Sequence, residues 1–570
     1  MSHPSSSRHH LFFVAGVMAV AAVFRVVALD RYPLPLHQDE LSDIYDGYSL
    51  ATTGADRSGE RWPILVRGMG PGDYHPGMYA YLAMISAHVL GFSVAGGRLP
   101  AAIAGVLTVW LVYLAASRIM DRRGAMLALL FVALSPIHIQ YSRQAHQGVC
   151  LVPFFVILIV WLVLRAIDAV GRQGQRAWIS WALAGLAVGV STNAYAGQRV
   201  TALLLTLFVP IVIAWTMRSH DRSWRAVCGA VAMFALAVGV GAAPQIAAWV
   251  GHPEEFLARG RTTFYDTDHS LAWWARRLAN NLWLNVEPGF LFLNFGDYRL
   301  LSVARLSVIG LPFFYVGMAA LLHGAAFRLS ARHAVLLAAI AFSLLPGIAT
   351  EGNPSPMRTS GVWALYPMVM AIGVQVCGMI LRSVSTWRER GGVGRLLTPL
   401  VTHPTAVSSG YAAVSLTILG SAGFDIGRYL SRPELHGPAS QHHLVRIGER
   451  LAPVWRDFDR VYVDTKGLFP CLYIPALAGM TPREMQTAPR EGEISGYGWE
   501  RFRRIGPFRF ASLTEAAAEW NDSPRSERWL VVSESGATVE FSAAGQSPAG
   551  AAWVKSAVTA EDGVGAVSRR

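Results

Sequence analysis

Two adjacent carboxylates near the N-terminus, Asp39 and Glu40, are the side chains of this 570-residue chain best suited to acid–base chemistry. Pro33 and Pro35 disfavour helical backbone just before them, and Asp39 is a good N-cap, so the sequence predicts that a helix begins here. A carboxylate held beside a hydroxyl can remove its proton. Asp39 is therefore the candidate general base, with Glu40 as the second candidate catalytic residue.

The spacing of the acidic residues leaves two other interpretations open. Asp39, Asp43 and Asp46 are four and three residues apart, which places them on one helix face, where they could chelate a divalent metal ion. That ion is the one cofactor the sequence leaves open. Alternatively, the helix is capped and solvated at the membrane interface, without chemistry.

Cationic side chains in the polar connections between apolar runs suggest a phosphorylated substrate. Arginine offers a permanently charged, bidentate donor to phosphate oxygens. The predicted phosphate-binding residues are His75, Arg143, Arg358 and Arg61. The alternatives are anchoring to lipid headgroups and, for Arg358, a surface pair with Glu351 in a turn.

Composition indicates a membrane protein. Hydrophobic residues make up 53% of the chain and charged residues only 15%, and the mean hydropathy is +0.35. Lys466 and Lys555 are the only lysines, which excludes a lysine nucleophile in the apolar part. The net charge of +12 comes from arginines placed as in cytoplasmic loops, so it gives no reason to predict a nucleic-acid partner.

Eleven apolar runs have about the length of a membrane span, which predicts an all-α polytopic fold in the lipid bilayer. They lie near 11–29, 101–117, 124–139, 149–167, 178–196, 200–217, 227–249, 306–324, 334–350, 361–381 and 405–422. Five connections rich in arginine fall on one side, which the positive-inside rule makes cytoplasmic together with the N-terminus. Arg25, inside the first run, is expected to extend towards the interface.

The domain prediction follows from this topology. Residues 1–423 form the transmembrane domain, with 30–100 as its first periplasmic loop. Residues 424–570 become polar and form a small soluble α/β domain on the periplasmic side. Within that domain, 460–464 and 528–533 predict buried strands and 440–456 predicts an amphipathic helix.

Several short motifs occur in a fixed order and together resemble one known family. They are Asp39-Glu40, the run LATTG, Tyr74-His75-Pro76, Gly97-Arg98-Leu99-Pro100, Ser135-Pro136 with Tyr141-Ser142-Arg143, Phe290–Asp297 (FLFLNFGD) and Pro354–Arg358. This ordered set, over about residues 11–380, is similar to the GT-C glycosyltransferases that use polyprenyl-phosphate sugars. The nearest branches are the lipid A aminoarabinose transferases, the protein O-mannosyltransferases and their bacterial relatives.

The resemblance implies an inverting transfer in which Asp39 deprotonates an acceptor hydroxyl, the hydroxyl attacks the anomeric carbon and polyprenyl phosphate leaves. The partners are then a polyprenyl-phosphate sugar donor and an envelope acceptor. Three departures argue against aminoarabinose transfer. His75 replaces a phosphate-contacting lysine, Ser42 replaces an arginine, and Gln147 is the nearest polar residue where relatives carry a carboxylate.

Two further functions are alternatives to the transferase. A transporter or flippase of lipid-linked sugars would carry ionisable groups in mid-membrane, whereas the predicted spans are mostly free of acids. A non-catalytic scaffold in envelope assembly would not need Asp39. The arginine-rich composition favours a bacterial inner membrane, with the active face in the periplasm.

Overall fold

The computed structural model describes most of the chain. The described residues are 4–34, 36–171, 176–266, 268–293, 305–388, 404–431, 442–465, 467–495, 499–521, 526–533, 538–541 and 553–556. Pro35 and residues 294–297 of the FLFLNFGD run, on which predictions were based, lie outside them.

The N-terminal three quarters of the described chain are helical apart from one hairpin. The helices are α1 (Pro4–Val26), α2 (Gln38–Thr53), α3 (Met78–Leu90), α4 (Val94–Ala116), α5 (Arg122–Ala133), α6 (Pro136–Tyr141), α7 (Val152–Gly171), α8 (Arg176–Ser191), α9 (Gln198–Arg218), α10 (Trp224–Gly251), α11 (Pro253–Arg261), α12 (Leu271–Val286), α13 (Leu311–Ala326), α14 (Ala331–Ile348), α15 (Val362–Arg388) and α16 (Pro404–Ser431). The hairpin pairs β1 (Leu65–Gly70) with β2 (Asp73–Pro76) in antiparallel register.

Eight of these helices are long and apolar enough to cross a membrane. All eleven predicted runs are largely helical, but three of them are not among these eight candidate spans. The run 124–139 is divided between α5 and α6, α8 has only 16 residues, and the 28-residue α16 continues past the predicted boundary at 423. The count of eleven spans therefore stays a prediction.

The break between α5 and α6 explains why Arg25 lies inside the bundle. Pro136 begins α6 and interrupts the helical hydrogen bonds, which leaves carbonyls of α5 without helical partners. The guanidinium of Arg25 donates to the carbonyls of Val132 and Ala133, both at 3.0 Å. Arg25 is fully buried, so the prediction that it extends to the interface is wrong.

Close packing inside the bundle depends on small residues. α8 packs along α10 where a Cβ on Gly185 or Gly189 would lie within 2.3 Å of a carbonyl oxygen of the facing helix. Small residues let two helix backbones approach in the absence of a hydrophobic driving force between them.

Ion pairs hold other helix ends together. At the ends of α4, α7 and α14, Arg118 and Arg332 both pair with Asp168, as expected for connections on one side.

The C-terminal region contains a seven-stranded mixed sheet. Its strand order is β4-β5-β6-β3-β7-β8-β9, with the three central strands parallel and the outer pairs antiparallel. The predicted strands are confirmed as β3 (Arg460–Asp464) and β7 (Trp529–Ser533), and the amphipathic helix as α17 (His442–Leu451). The other elements are α18 (Pro470–Leu477), α19 (Pro482–Thr487), β4 (Arg490–Ile494), β5 (Glu500–Ile505), β6 (Phe508–Arg509), α20 (Leu513–Asn521), β8 (Thr538–Phe541) and β9 (Trp553–Ser556).

This C-terminal region packs directly against α2. The Tyr45 hydroxyl donates to the carbonyl of Met480 at 2.6 Å, and the Tyr473 hydroxyl donates to the carbonyl of Leu36. Both phenol rings are fully buried. The segment that carries Asp39 and Glu40 is therefore covered by the C-terminal region.

Candidate active site

The acidic helix is buried rather than solvated. Exposed fractions are 8% for Asp39, 1% for Asp43 and 0% for both Glu40 and Asp46. The N-cap is His37, whose Nδ1 accepts the backbone N–H of Asp39 at 3.2 Å. The prediction that Asp39 caps the helix is therefore wrong, and so is the solvated interpretation of this helix.

Most of the carboxylates on this helix have their own partner. Glu40 accepts from Arg98 through Nε at 2.7 Å and Nη2 at 3.0 Å. Asp43 lies 2.9 Å from Nε2 of His75. Asp46 pairs with Arg57. Because Asp43 and Asp46 are each bound elsewhere, the predicted three-carboxylate metal face is not assembled.

Asp39 has a different environment, formed by two imidazoles and one guanidinium. Its Oδ2 lies 3.7 Å from Nδ1 of His37 and 3.3 Å from Nε2 of His146. Burial alone would raise the pKa of Asp39, but His37, His146 and Arg259 together lower it below its ordinary value. Burial, with His146 beside it, lowers the pKa of His37 to about 4. At neutral pH the site therefore holds an ionised Asp39 beside a neutral His37.

A tight turn fixes His146 against Asp39. Gln147 and Gly148 both have positive φ, 41° and 71°. A Cβ on Gly148 would lie 1.8 Å from the carbonyl oxygen of Ala194, so only glycine fits this position. The N–H of Ala145 donates to Oε1 of Glu40 at 2.8 Å. Glu40 thus helps to position the turn that carries His146.

The basic side of the site comes from α11. Arg259 pairs with Asp73 of the hairpin, and its Nη2 lies 3.5 Å from Oε1 of Gln147. Asp73 is almost fully buried and also accepts the N–H of Met69 at 3.0 Å. Electrostatic interactions link Tyr195 to Arg259, Arg358, Asp39 and Asp73, so these groups share one neighbourhood.

The four predicted phosphate-binding residues have different surroundings in the structure. Arg143 donates to the carbonyls of Phe24, Val27, Ala28 and Tyr32, so it closes the C-terminal end of α1 and its donors are engaged there. His75 is buried against Asp43. Arg61 is exposed and lines a cleft of about 640 Å³ with Thr481 and Arg483. These placements give the three residues other partners or surroundings, and the phosphate clamp stays a prediction.

Arg358 is the predicted cation that stays near the site. It is half-buried, donates to Thr350 at 2.9 Å and to the carbonyl of Glu351, and interacts with Tyr195 and Arg259. The predicted turn is therefore present, but the predicted Glu351 partner contributes its carbonyl here.

Sequence reasoning missed four residues of this arrangement: His37, Asp73, His146 and Arg259. His37 and His146 are polar residues beside recognised motifs, and that position was the available signal. Arg259 belongs to the short helix Pro253–Arg261, in which no sequence motif singles it out.

Comparisons with known proteins agree with this architecture. Residues 74–240 match the family described as dolichyl-phosphate-mannose-protein mannosyltransferase. A putative mannosyltransferase, YkcB of Bacillus subtilis strain 168, is 30% identical over 125 residues, which are 22% of this chain. The matched segment spans only 17% of that relative's length. Asp39 lies outside the family match.

Two solved structures share the fold over nearly the whole chain. ArnT from Cupriavidus metallidurans bound to undecaprenyl phosphate has a TM-score of 0.56 at 12% identity, covering 91% of this chain and 92% of that one. The same protein in its apo state has a TM-score of 0.52 at 13% identity, with 93% of each chain covered. The chain therefore has the GT-C fold, and the predicted resemblance to GT-C glycosyltransferases is confirmed.

Proposed function

We propose that this protein is an inverting glycosyltransferase that moves a sugar from a polyprenyl-phosphate donor to a hydroxyl of an envelope acceptor, which is a protein, a lipid or a glycan. The observation that carries the proposal is the setting of Asp39, a buried carboxylate with a lowered pKa beside two imidazoles and Arg259. The undecaprenyl phosphate bound by the structural neighbour supports a donor of this chemical class.

In the proposed reaction Asp39 takes the proton of the acceptor hydroxyl. The hydroxyl oxygen forms a bond to the anomeric carbon from the face opposite the phosphate. The bond between that carbon and the phosphate oxygen breaks, and polyprenyl phosphate leaves with the electron pair. A carboxylate of lowered pKa accepts a proton only after bond formation has made the attacking oxygen acidic, so we expect proton transfer to be late.

Arg259 and Arg358 are the residues that we assign to the leaving phosphate. Negative charge grows on the phosphate oxygens as the bond breaks, and guanidinium groups placed nearby stabilise that charge. Arg259 interacts electrostatically with Asp39, and both Arg259 and Arg358 interact with Tyr195. His75, Arg143 and Arg61 have no part in this assignment.

We further propose that the reaction occurs on the periplasmic face of a bacterial inner membrane. The support is the set of arginine-rich connections that the sequence places on one side, which the positive-inside rule makes cytoplasmic. The same proposal includes eleven spans with a cytoplasmic N-terminus, a transmembrane domain of residues 1–423 and a periplasmic domain of residues 424–570. The bilayer then delivers the lipid-linked donor from the side, while the acceptor approaches from the periplasm.

The test is transfer by the purified protein in lipid nanodiscs with a panel of polyprenyl-phosphate hexoses and pentoses, measured as released polyprenyl phosphate. Asp39→Asn should lower kcat by about 10²–10⁴-fold, because it removes the proton acceptor while keeping the shape. Asp30→Asn is the control, since Asp30 is an exposed carboxylate nearby.

Full release by Asp39→Asn would overturn the proposed role of Asp39. Wild-type protein that releases no polyprenyl phosphate but moves the lipid-linked sugar across the bilayer would instead identify a flippase.

A further inference from the structure

The geometry around Asp39 points to a metal site. We propose that His37, Asp39 and His146 bind one divalent transition-metal ion of the Zn²⁺ class. One ligand atom from each residue lies within 4.8 Å of the other two. His37 and Asp39 lie at the start of α2 and His146 lies in the turn after α6, so two separate parts of the chain meet here.

The distances fit coordination. Donor atoms bound at about 2.1 Å around a tetrahedral ion lie roughly 3.4 Å apart. The distances from Oδ2 of Asp39 are 3.3 Å to His146 Nε2 and 3.7 Å to His37 Nδ1. The two imidazole rings are inclined by 36° with centroids 4.4 Å apart. Small side-chain movements would bring all three atoms to ligand distance.

His146 supplies the second observation that points to a ligand. Its ring is 5% exposed, and no acceptor in the described part of the chain meets hydrogen-bond geometry with its Nε2. Nε2 nevertheless lies 3.3 Å from an oxygen of Asp39. A buried polar nitrogen without an aligned partner is costly. A cation placed between Nε2 of His146 and Oδ2 of Asp39 would give both atoms a partner.

The donor set selects the class of metal. Two imidazoles and one carboxylate suit Zn²⁺ and neighbouring late first-row ions, whereas Mg²⁺ and Ca²⁺ prefer oxygen ligands. This distinguishes the site from the three-carboxylate face predicted from the sequence. Arg259 is the opposing charge nearby, and its pairing with Asp73 offsets it.

The two histidines are not equivalent ligands. Nδ1 of His37 already accepts the N–H of Asp39, so coordination through this atom competes with helix capping. His146 has no such competing contact in the described residues. We therefore expect His146 to contribute more to affinity than His37.

The role of the ion rests on the proposed function, although its binding does not. A bound Zn²⁺ supplies Lewis-acid stabilisation to a phosphate oxygen. Oδ2 of Asp39 is the oxygen that faces both imidazoles. Oδ1 therefore stays available for the acceptor proton.

The test measures metal binding directly in the purified full-length protein, with any affinity tag removed. After chelator treatment and dialysis, Zn²⁺ is added and its stoichiometry and affinity are measured by mass spectrometry of the metal and by calorimetry. Co²⁺ is added in parallel, because its visible absorption reports a tetrahedral site with nitrogen ligands. We expect one tightly bound ion per chain and a metal-dependent rise in Tm.

His146→Ala should weaken binding by at least about a hundredfold, and His37→Ala by a smaller factor of about ten or more. His252→Ala is the matched control, since His252 is an exposed histidine that also faces a carboxylate. A His442→Ala, His443→Ala double variant tests binding at the adjacent pair of histidines in the C-terminal region.

Unchanged stoichiometry and affinity in His146→Ala and His37→Ala, or no tight binding by the wild-type protein, would overturn the metal site. Full sugar transfer by metal-free protein that binds no ion would overturn the site and leave the glycosyltransferase proposal intact. One bound ion per chain without sugar transfer to any acceptor would support the metal site and contradict the glycosyltransferase proposal.

Discussion

The acidic and basic sides of the active site are built differently. On the acidic side, Asp39, Glu40 and His146 are buried and lie on segments joined by short hydrogen bonds. On the basic side, Arg259 and Arg358 are only half-buried and lie on a nine-residue helix and a turn. The acidic side is therefore fixed before a substrate binds, whereas the basic side has freedom to adjust.

Solvation explains the difference. A carboxylate removed from water needs charged or hydrogen-bonding partners, so each acid of α2 is held in one geometry. Arginine has a long apolar stem and keeps its charged end near water. A base must be oriented to within a fraction of an ångström, whereas a phosphate clamp tolerates more variation because it acts through charge.

Among variants that test the difference between the two sides, Glu40→Ala is expected to have the largest effect. It leaves Arg98 buried without its carboxylate and frees the N–H of Ala145, so the free energy of unfolding should fall by about 3–5 kcal/mol. Thermal or denaturant unfolding in detergent measures the change. Glu254→Ala is the control, because Glu254 forms an exposed pair with Arg261 and should have little effect. Equal stability of the two variants would contradict a fixed acidic side.

An intermediate effect is expected from Arg259→Ala. Loss of a charge-assisted contact to phosphate removes about 1.5–3 kcal/mol, or roughly ten- to a hundredfold in kcat/KM for the lipid donor. Arg261→Ala is a matched control on the same helix, since Arg261 is exposed and pairs with exposed Glu254. If both variants transfer sugar at the wild-type rate, Arg259 holds only the hairpin through Asp73.

The smallest expected effect is a dependence of Tm on pH that comes from His75. Burial alone would lower its pKa, but Asp43 raises it above the ordinary value. A raised pKa gives stability that is fully present below about pH 6.5, the unfolded value, and is lost as pH rises through the folded value. Tm should therefore decline above that pH in the wild type.

The decline should be smaller in His75→Gln, which keeps a hydrogen-bond donor to Asp43 without the charge. His88→Gln, at an exposed position, should follow the wild-type curve. Parallel curves for all three proteins would show that the Asp43–His75 pair adds no pH-dependent stability.

The helices and the position of Asp39 could be predicted from the sequence, because long apolar runs and adjacent acids after a proline are local signals. The partners of those acids could not. Glu40 meets Arg98, 58 residues away, and Asp39 meets His146 from another turn. Such pairs depend on how the helices pack, which no local pattern encodes.

The arginines also show that a sequence motif does not predict the partners of a side chain. Arg143 lies in a conspicuous motif, yet it binds main-chain carbonyls at the end of α1, because the chain turns away from the helix there. Arg259 lies in no recognised motif, yet it faces the site because α11 packs on the β-hairpin. Both residues are arginines, and only the fold decides which of them interacts with Asp39.

The two buried tyrosines between α2 and the C-terminal region affect how this protein can be recombined with its relatives. Tyr45 and Tyr473 each donate to a main-chain carbonyl of the opposite region, so each region completes the other's interior. A chimera that exchanges only the C-terminal region must supply both a donor for Leu36 and an acceptor for Tyr45. Without them the segment before Asp39 loses its anchor, so we expect exchanges to preserve activity only when the two regions are taken from one parent.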